Sequence, residues 1–461
     1  MHKKITLTTV FAVLMALSVS LVSAQDRVQI RWFVGLGAGT DGPIIALEEA
    51  FVEDYNNSQD EIELVLEVVD NTQAFDVLNT QIAAGNAPDI VGPMGIRGRA
   101  SFPGVWLDLD PLIESTGYDL SDFDPELVDF YRVEDEGQLG LPFAVFPYFM
   151  LYNEDLFDEA DAPYPPQSYG EPYVDWNGEE RPWNMETLRD LAMYMTVDAN
   201  GFDATMDEFN PDDIVQFGYG TGYTDMRGEL VLFGAGNFVD DDGNAQIPTV
   251  WEEAADWIYA GMWEDYFYPN GIYRTSDILG GDSGNWFDSG NLAMMPNHTW
   301  YLGWGTSNLD ANGVGWNIAP IPAYEDTITA KLHADTFGIM ASTDHPEEAF
   351  EVFSYMLDEG ALELTQMYGG LPARLSLRDG FFETFEETIG QEDGDINWGV
   401  AEEGLSYPDI PNHEEGMPSF LESSDRYAET WDFIVQNPDV DVTAELEELR
   451  ADLQAIFDSA Q

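Results

Sequence analysis

Apolar and polar residues alternate over "VQIRWFV", which puts Val28, Ile30, Trp32 and Val34 on one face of a short strand. The pattern then changes period. In "IIALEEAFVEDYNN", Ile44, Leu47, Phe51 and Tyr55 recur at helical spacing. "EIELVLEVV" alternates again, with Ile62, Leu64, Leu66 and Val68 on one side. A second helix is expected through Phe75, Leu78 and Ile82, capped at Gly85 or Asn86 and stopped by Pro88; Asp89-Ile90-Val91 opens a third strand. This order predicts an α/β layer with a parallel or mixed sheet. Ligands bind such sheets beyond the carboxyl ends of the strands, so the loops Gly35 to Thr40 and Gly92 to Gly95 are expected to face a site.

Further on the pattern is less regular. Residues 161–183, rich in proline and aromatics, read as a long ordered surface loop. Helices are expected over Thr249 to Trp263, over Pro346 to Asp358 with Ala349, Phe353 and Met356 inward, and over Ala444 to Phe457. In "NLAMMPNHTWYLGW", Pro296 and the glycines at 303 and 305 predict a strand running into a loop that carries His298, Trp300, Tyr301 and Trp304.

The chain opens with Lys3 and Lys4, an apolar run from Ile5 to Val22, and small residues ending at Ala24. That predicts a signal peptide over residues 1–24 rather than a membrane anchor. With the leader removed, the chain is still too long for one core, which predicts two domains. With 44% apolar and 13% aromatic residues it can build cores despite its charge.

That charge is −72, from 88 acidic residues against 16 Lys and Arg, and Lys331 is the one lysine outside the leader. Nucleic acid and anionic membranes are therefore poor partners. An acidic, lysine-poor surface fits a protein kept soluble in high salt, with an acidic habitat as the alternative. There are no cysteines, which excludes disulfides, thiolate chemistry, and the cysteine of a bacterial lipid anchor.

Enzyme and metal signatures are weak. "GAGTDG" is not a phosphate cradle, and "DDDGN" at 240–244 lacks the EF-hand glycine and glutamate and reads as a turn. "GxSxG" and "HExxH" are absent. His298, His333, His345 and His413 are scattered and show no metal-ligand spacing, so no metal, cofactor or catalytic residue is expected.

Several segments taken in order carry a family resemblance: "QIAAGNAPDIV", "GVWLDLDPLI", "GQLGLPFAVFPYFMLYNEDLFDEA", "SGNLAMMPNHTW", "WNIAPIP", "TFGIMASTDHPEEAFEVFSYML" and "GGLPARLS". The chain resembles the extracellular solute-binding proteins of ABC sugar importers, the group that includes maltose-binding protein. It departs from them in the longer 161–183 segment, the missing anchor cysteine, and "NPDVDVT" where a glycine is usual.

The resemblance implies a two-lobed, periplasmic-binding-protein-like (type II) α/β fold that closes over its ligand like a hinged clamp. It places residues 25–143 plus 337–382 in one lobe and 147–332 plus 385–461 in the other. It implies a non-catalytic, monomeric, secreted receptor delivering a carbohydrate to a membrane permease. The aromatic after the Ala-Met strand, Trp300, would stack on a sugar ring, with His298 beside it. The opposing wall would hold Gly35, Thr40, Asp41, Met94 and Arg97, with Arg97 and Arg99 either bonding sugar hydroxyls or a uronate, or pairing with nearby carboxylates. Tyr148, Tyr223, Asp225, Asp335, Gly370 and Arg374 complete the expected contacts. A polyamine or other small solute in the same fold, and a secreted carbohydrate hydrolase, remain the alternatives.

Overall fold

The computed structural model describes residues 27–133, 136–221, 225–281, 285–391, 394–414 and 416–460, with residues 304, 305 and 307 as backbone only. The leader reading and Tyr223 lie outside these residues, as does the side chain of Trp304.

Eleven strands build two mixed sheets. In chain order they are β1 (Val28–Val34), β2 (Ile62–Val68), β3 (Ile90–Met94), β4 (Ala144–Phe146), β5 (Tyr148–Asn153) and β6 (Val197–Asp198). They continue as β7 (Ile214–Tyr219), β8 (Leu292–His298), β9 (Trp316–Ala319), β10 (His333–Ile339) and β11 (Leu371–Pro372). The first sheet runs β11-β4-β10-β3-β1-β2 and the second β6-β7-β8-β5-β9. β1 pairs in parallel with β2 and β3, as the strand-helix-strand pattern requires, whereas β10 runs antiparallel to both of its neighbours, β3 and β4.

The first helix, Gly42–Ser58, buries Ile44, Phe51 and Tyr55, but Leu47 is exposed and Glu48 is fully buried in its place. Glu48 faces inward because the hydroxyl of Tyr368 donates to its Oε1 at 2.7 Å. In the next helix, Asn71–Ala83, Ala74 and Leu78 turn inward and Phe75 is half-buried. The helices at Thr249–Trp263, Pro346–Leu357 and Val442–Ser459 fall where the periodicity puts them. Residues 161–183 are more than a loop. They carry the hairpin Tyr173–Val174/Glu180–Arg181, with Tyr173 buried against Trp183. Residues 240–244 form the expected turn, in which Asp240 accepts backbone bonds from Asp242 and Asn244.

The expectation for 291–304 needs correction. β8 runs through Pro296 to His298, and a helix, Thr299–Asn312, follows without a loop. Proline is tolerated in this central strand because the paired part of β7 ends at Tyr219, opposite Met294, two residues before the missing N–H. Gly303 lies within this helix, with the backbone of Gly369 packed beside it at van der Waals distance, 3.5 Å from where a Cβ would stand.

Candidate functional site

The tightest crossing between the two sheets is a single residue long. β4 of the first sheet ends at Phe146 and β5 of the second begins at Tyr148, so Pro147 alone separates them. Strand register then decides which side chains meet there. In the second sheet His298 is opposite Tyr148, and in the first His333 is opposite Phe146. Cross-strand partners are side-chain neighbours. Accordingly, the His298 ring lies 4.6 Å from that of Tyr148 and 4.3 Å from that of His333. Its Nδ1 is 2.8 Å from the Phe146 carbonyl oxygen, and the N–H of Thr299 donates to the Pro147 carbonyl at 3.3 Å. Trp300, in the first turn of the following helix, stacks on His298 at 6.0 Å and 25°. It is half-buried and packs against the cores of both sheets.

A second layer of polar groups surrounds these rings. Lys331, almost fully buried, holds its Nζ 4.7 Å above the Tyr148 ring. Asp409 is fully buried and accepts from the Leu332 N–H at 2.6 Å, the Asn412 amide at 3.1 Å and the His413 N–H at 2.9 Å; its Oδ2 lies 2.6 Å from His413 Nδ1. The His413 ring is 5.2 Å from that of His333. At the start of the short helix Met226–Leu230, Asp225 accepts from the Gly228 N–H, pairs with the buried Arg227 at 3.1 Å and accepts from the Tyr427 hydroxyl at 2.7 Å. Glu229 accepts from Tyr268 at 3.1 Å, with Arg274 at 3.5 Å.

Burial dominates the electrostatics here. It holds His298 well below the usual imidazole range, helped by His333, and pushes His333 down to about 4 against the pull of Glu414. Both rings are therefore neutral at pH 7. Burial, with Glu414 nearby, lifts Asp335 to about 7, and it lowers Lys331 to about 8 despite four surrounding carboxylates. Burial also raises Asp225 and is the largest single influence on it, but Arg227, His413 and the hydrogen bonds from Tyr427 and the Gly228 N–H together outweigh it, and the carboxyl ends well below the ordinary range.

Beside this cluster lies a groove of about 1380 Å³ between the sheets. Arg99, Trp106 and Phe130 come from the first-sheet side, and Leu405, Pro408 and Met417 from the other. Alternation along the crossing segment sends Leu332 to this groove and His333 to the histidine cluster. Trp300 and His298 do not line it, so the space and the aromatic cluster lie on different faces of the crossing strands.

The structure brings together Tyr148, His298 and Trp300 at the crossing, with Asp335 on β10 close by. It gives several other expected contacts different duties. Met94 is fully buried in the core with Phe33 and Trp106. Arg97 points outward over the Phe75 ring at 5.8 Å, while Arg99, two residues on and so on the other side of the helix, reaches the groove. Arg374 is engaged with Asp358, with the Tyr118 hydroxyl at 2.9 Å and with the Leu357 carbonyl at 2.8 Å. Gly370 is glycine for packing, since a Cβ there would stand 2.7 Å from Ala144 Cβ. Gly35, at φ +156°, lies against the Val69 carbonyl for the same reason. Thr40 is half-buried, and Asp41 is exposed at the start of helix Gly42–Ser58. Asp225 is taken up by its cap and ion pair.

Sequence reasoning missed Lys331, Asp409, His413 and Glu414 as neighbours. The four histidines it read as scattered are scattered along the chain only; three meet in space. The one signal was compositional, a single lysine retained in so acidic a chain.

Two mixed sheets joined by short crossings, with polar groups and a groove between them, define a two-lobed binding fold. The chain belongs to the bacterial extracellular solute-binding proteins, whose family model matches residues 50–387. Among solved structures it is similar to an ABC substrate-binding protein from Listeria monocytogenes in complex with cycloalternan. That likeness has 18% identity and a TM-score of 0.73, over 93% of this chain and 99% of that one. It is also similar to the maltose/maltodextrin-binding domain from Bdellovibrio bacteriovorus bound to maltotriose, with 18% identity, a TM-score of 0.66, and 93% and 99% coverage. A Thermotoga lettingae solute-binding protein bound with α-D-tagatose matches at 15% identity and a TM-score of 0.69, with 93% and 100% coverage. No curated protein sequence matches the chain. No described helix is long and apolar enough to cross a membrane.

Proposed function

We propose that the protein is a non-catalytic receptor that captures a carbohydrate, of oligosaccharide size, between its lobes and delivers it to the permease of an ABC importer. The observation that carries this reading is the family match over most of the chain, joined to a two-sheet fold with Trp300 at the crossing between the sheets. Three neighbours of the same fold were solved with sugars bound, which supports the ligand class. Trp300, half-buried beside the inner rings of His298 and Tyr148, supplies a flat apolar face with a polar edge, the chemistry a pyranose ring needs.

The lobes divide as residues 25–143 plus 337–382 and 147–332 plus 385–461, and closure about the crossing segments is the binding motion. Residues 1–24 act as the secretion signal, and the mature protein works as a soluble monomer without a lipid anchor. Its acidity suits a saline exterior. A polyamine is the weaker ligand, because Asp225, Glu229 and Asp409 are already committed to internal partners.

The test is tryptophan fluorescence of the mature protein against mono- and oligosaccharides, uronates and a polyamine, at low and at molar salt. A saturable response to one sugar, with the sugar recovered intact, supports the receptor. Silence toward every sugar with a response to the polyamine, or cleavage of a glycan, overturns it.

A further inference from the structure

His333, His413 and Glu414 place one ligand atom each within 4.8 Å of one another. We propose that these three residues bind a divalent transition-metal ion of the zinc type, leaving a further coordination position open to water or to an oxygen of the solute. Two imidazoles and a carboxylate are the donor set that favours zinc over magnesium or calcium, and three protein ligands are the count of an open site.

The second coordination sphere is already built. The Asp409 carboxylate lies 2.6 Å from His413 Nδ1, so that nitrogen carries the proton and Nε2 offers its lone pair. Asp409 in turn is held by the Leu332 and His413 backbone N–H groups, and the Asn412 amide reaches the Leu332 carbonyl at 3.0 Å. These bonds fasten the 409–414 loop directly to the segment that presents His333, so the trio does not depend on lobe closure.

A separate observation points the same way. His298, about 1% exposed, spends its Nδ1 on the Phe146 carbonyl, and its buried Nε2 has no hydrogen-bond partner among the described residues. Its ring packs against His333. A buried imidazole nitrogen without a partner is costly unless something occupies its neighbourhood. A tetrahedral zinc centre separates its ligand atoms by about 3.3 Å, so binding would draw the three atoms together from the 4.8 Å span they occupy here. Lys331 opposes a cation here, and Glu414, Asp335 and Asp409 offset it.

The site is independent of the sugar reading, so it is tested without sugar. Chelator-stripped mature protein is titrated with zinc chloride by calorimetry, in molar sodium chloride with millimolar magnesium to saturate surface carboxylates. One saturable zinc per chain is expected. His333→Ala and His413→Ala should each weaken it at least tenfold, Asp409→Asn by about 10–100-fold, and His345→Ala not at all. Because His413 is buried, Glu414→Gln, at a half-buried position, is the second variant; it too should weaken zinc, with an unchanged circular dichroism spectrum. Cobalt should give the visible bands of nitrogen ligation, lost in His333→Ala. No single saturable zinc site, or equal affinity in His333→Ala, Glu414→Gln and the parent, overturns the proposal.

Discussion

His298 and Phe146 are joined across the two sheets, with the imidazole Nδ1 lying 2.8 Å from the backbone carbonyl oxygen. The bond braces the crossing at Pro147, because His298 ends the central strand of one sheet and Phe146 ends an inner strand of the other. Truncation would leave a buried carbonyl without a donor. His298→Ala should therefore cost about 1–3 kcal/mol in urea denaturation. His298→Asn, whose amide can reach the same carbonyl, should recover most of that loss. Equal losses in the two variants would show that ring packing, not the hydrogen bond, is what matters.

Trp300 belongs to both lobes' cores and stacks on His298. If it also forms a sugar wall, Trp300→Ala should weaken sugar binding by about 1–3 kcal/mol. The variant should stay folded with a lowered melting temperature, since half of the indole is packed. A lowered melting temperature with unchanged affinity would assign Trp300 to the hinge alone.

Glu48 gives the fold a pH dependence with a definite sign. Burial pushes its carboxyl up to about 8, with the Tyr368 hydrogen bond pulling the other way. Between the ordinary carboxylate range and pH 8 the native state binds more protons than the unfolded one, so stability falls as pH rises through that window. Glu48→Gln should flatten that fall and raise the melting temperature at pH 8 relative to the parent. A parent and variant with parallel pH profiles would mean that Glu48 titrates normally.

The sequence discloses the elements whose burial follows from periodicity alone. The helices at Thr249–Trp263, Pro346–Leu357 and Val442–Ser459 are of this kind. It misleads where a tertiary partner overrides the local signal. Glu48 displaces Leu47 from the core because Tyr368, 320 residues on, meets it there. Helix Thr299–Asn312 continues through Gly303, which packs beside the backbone of Gly369, a residue far off along the chain. The site is less legible still. Tyr148, His298, His333 and His413 become neighbours only through two strand registers and one loop tied to the Lys331 segment, and no spacing along the chain encodes that.

Lys331 is the last element of that cluster with a measurable signature. Its ammonium sits over Tyr148, facing Asp225, Asp409, Glu229 and Glu414, yet burial outweighs these carboxylates and lowers it to about 8. An unfolded lysine titrates near 10.5. Between these values the native state binds fewer protons than the unfolded state, so stability rises with pH. The gain reaches about 1.4 kcal/mol per pH unit for one group. The window is read below the onset of tyrosine ionisation near 10, where further groups enter. The urea midpoint of the parent, relative to that of Lys331→Met, should therefore climb from pH 8 upward. A constant difference between the two across that range would mean that Lys331 keeps its ordinary affinity for the proton, and that the carboxylates around it balance its burial in full.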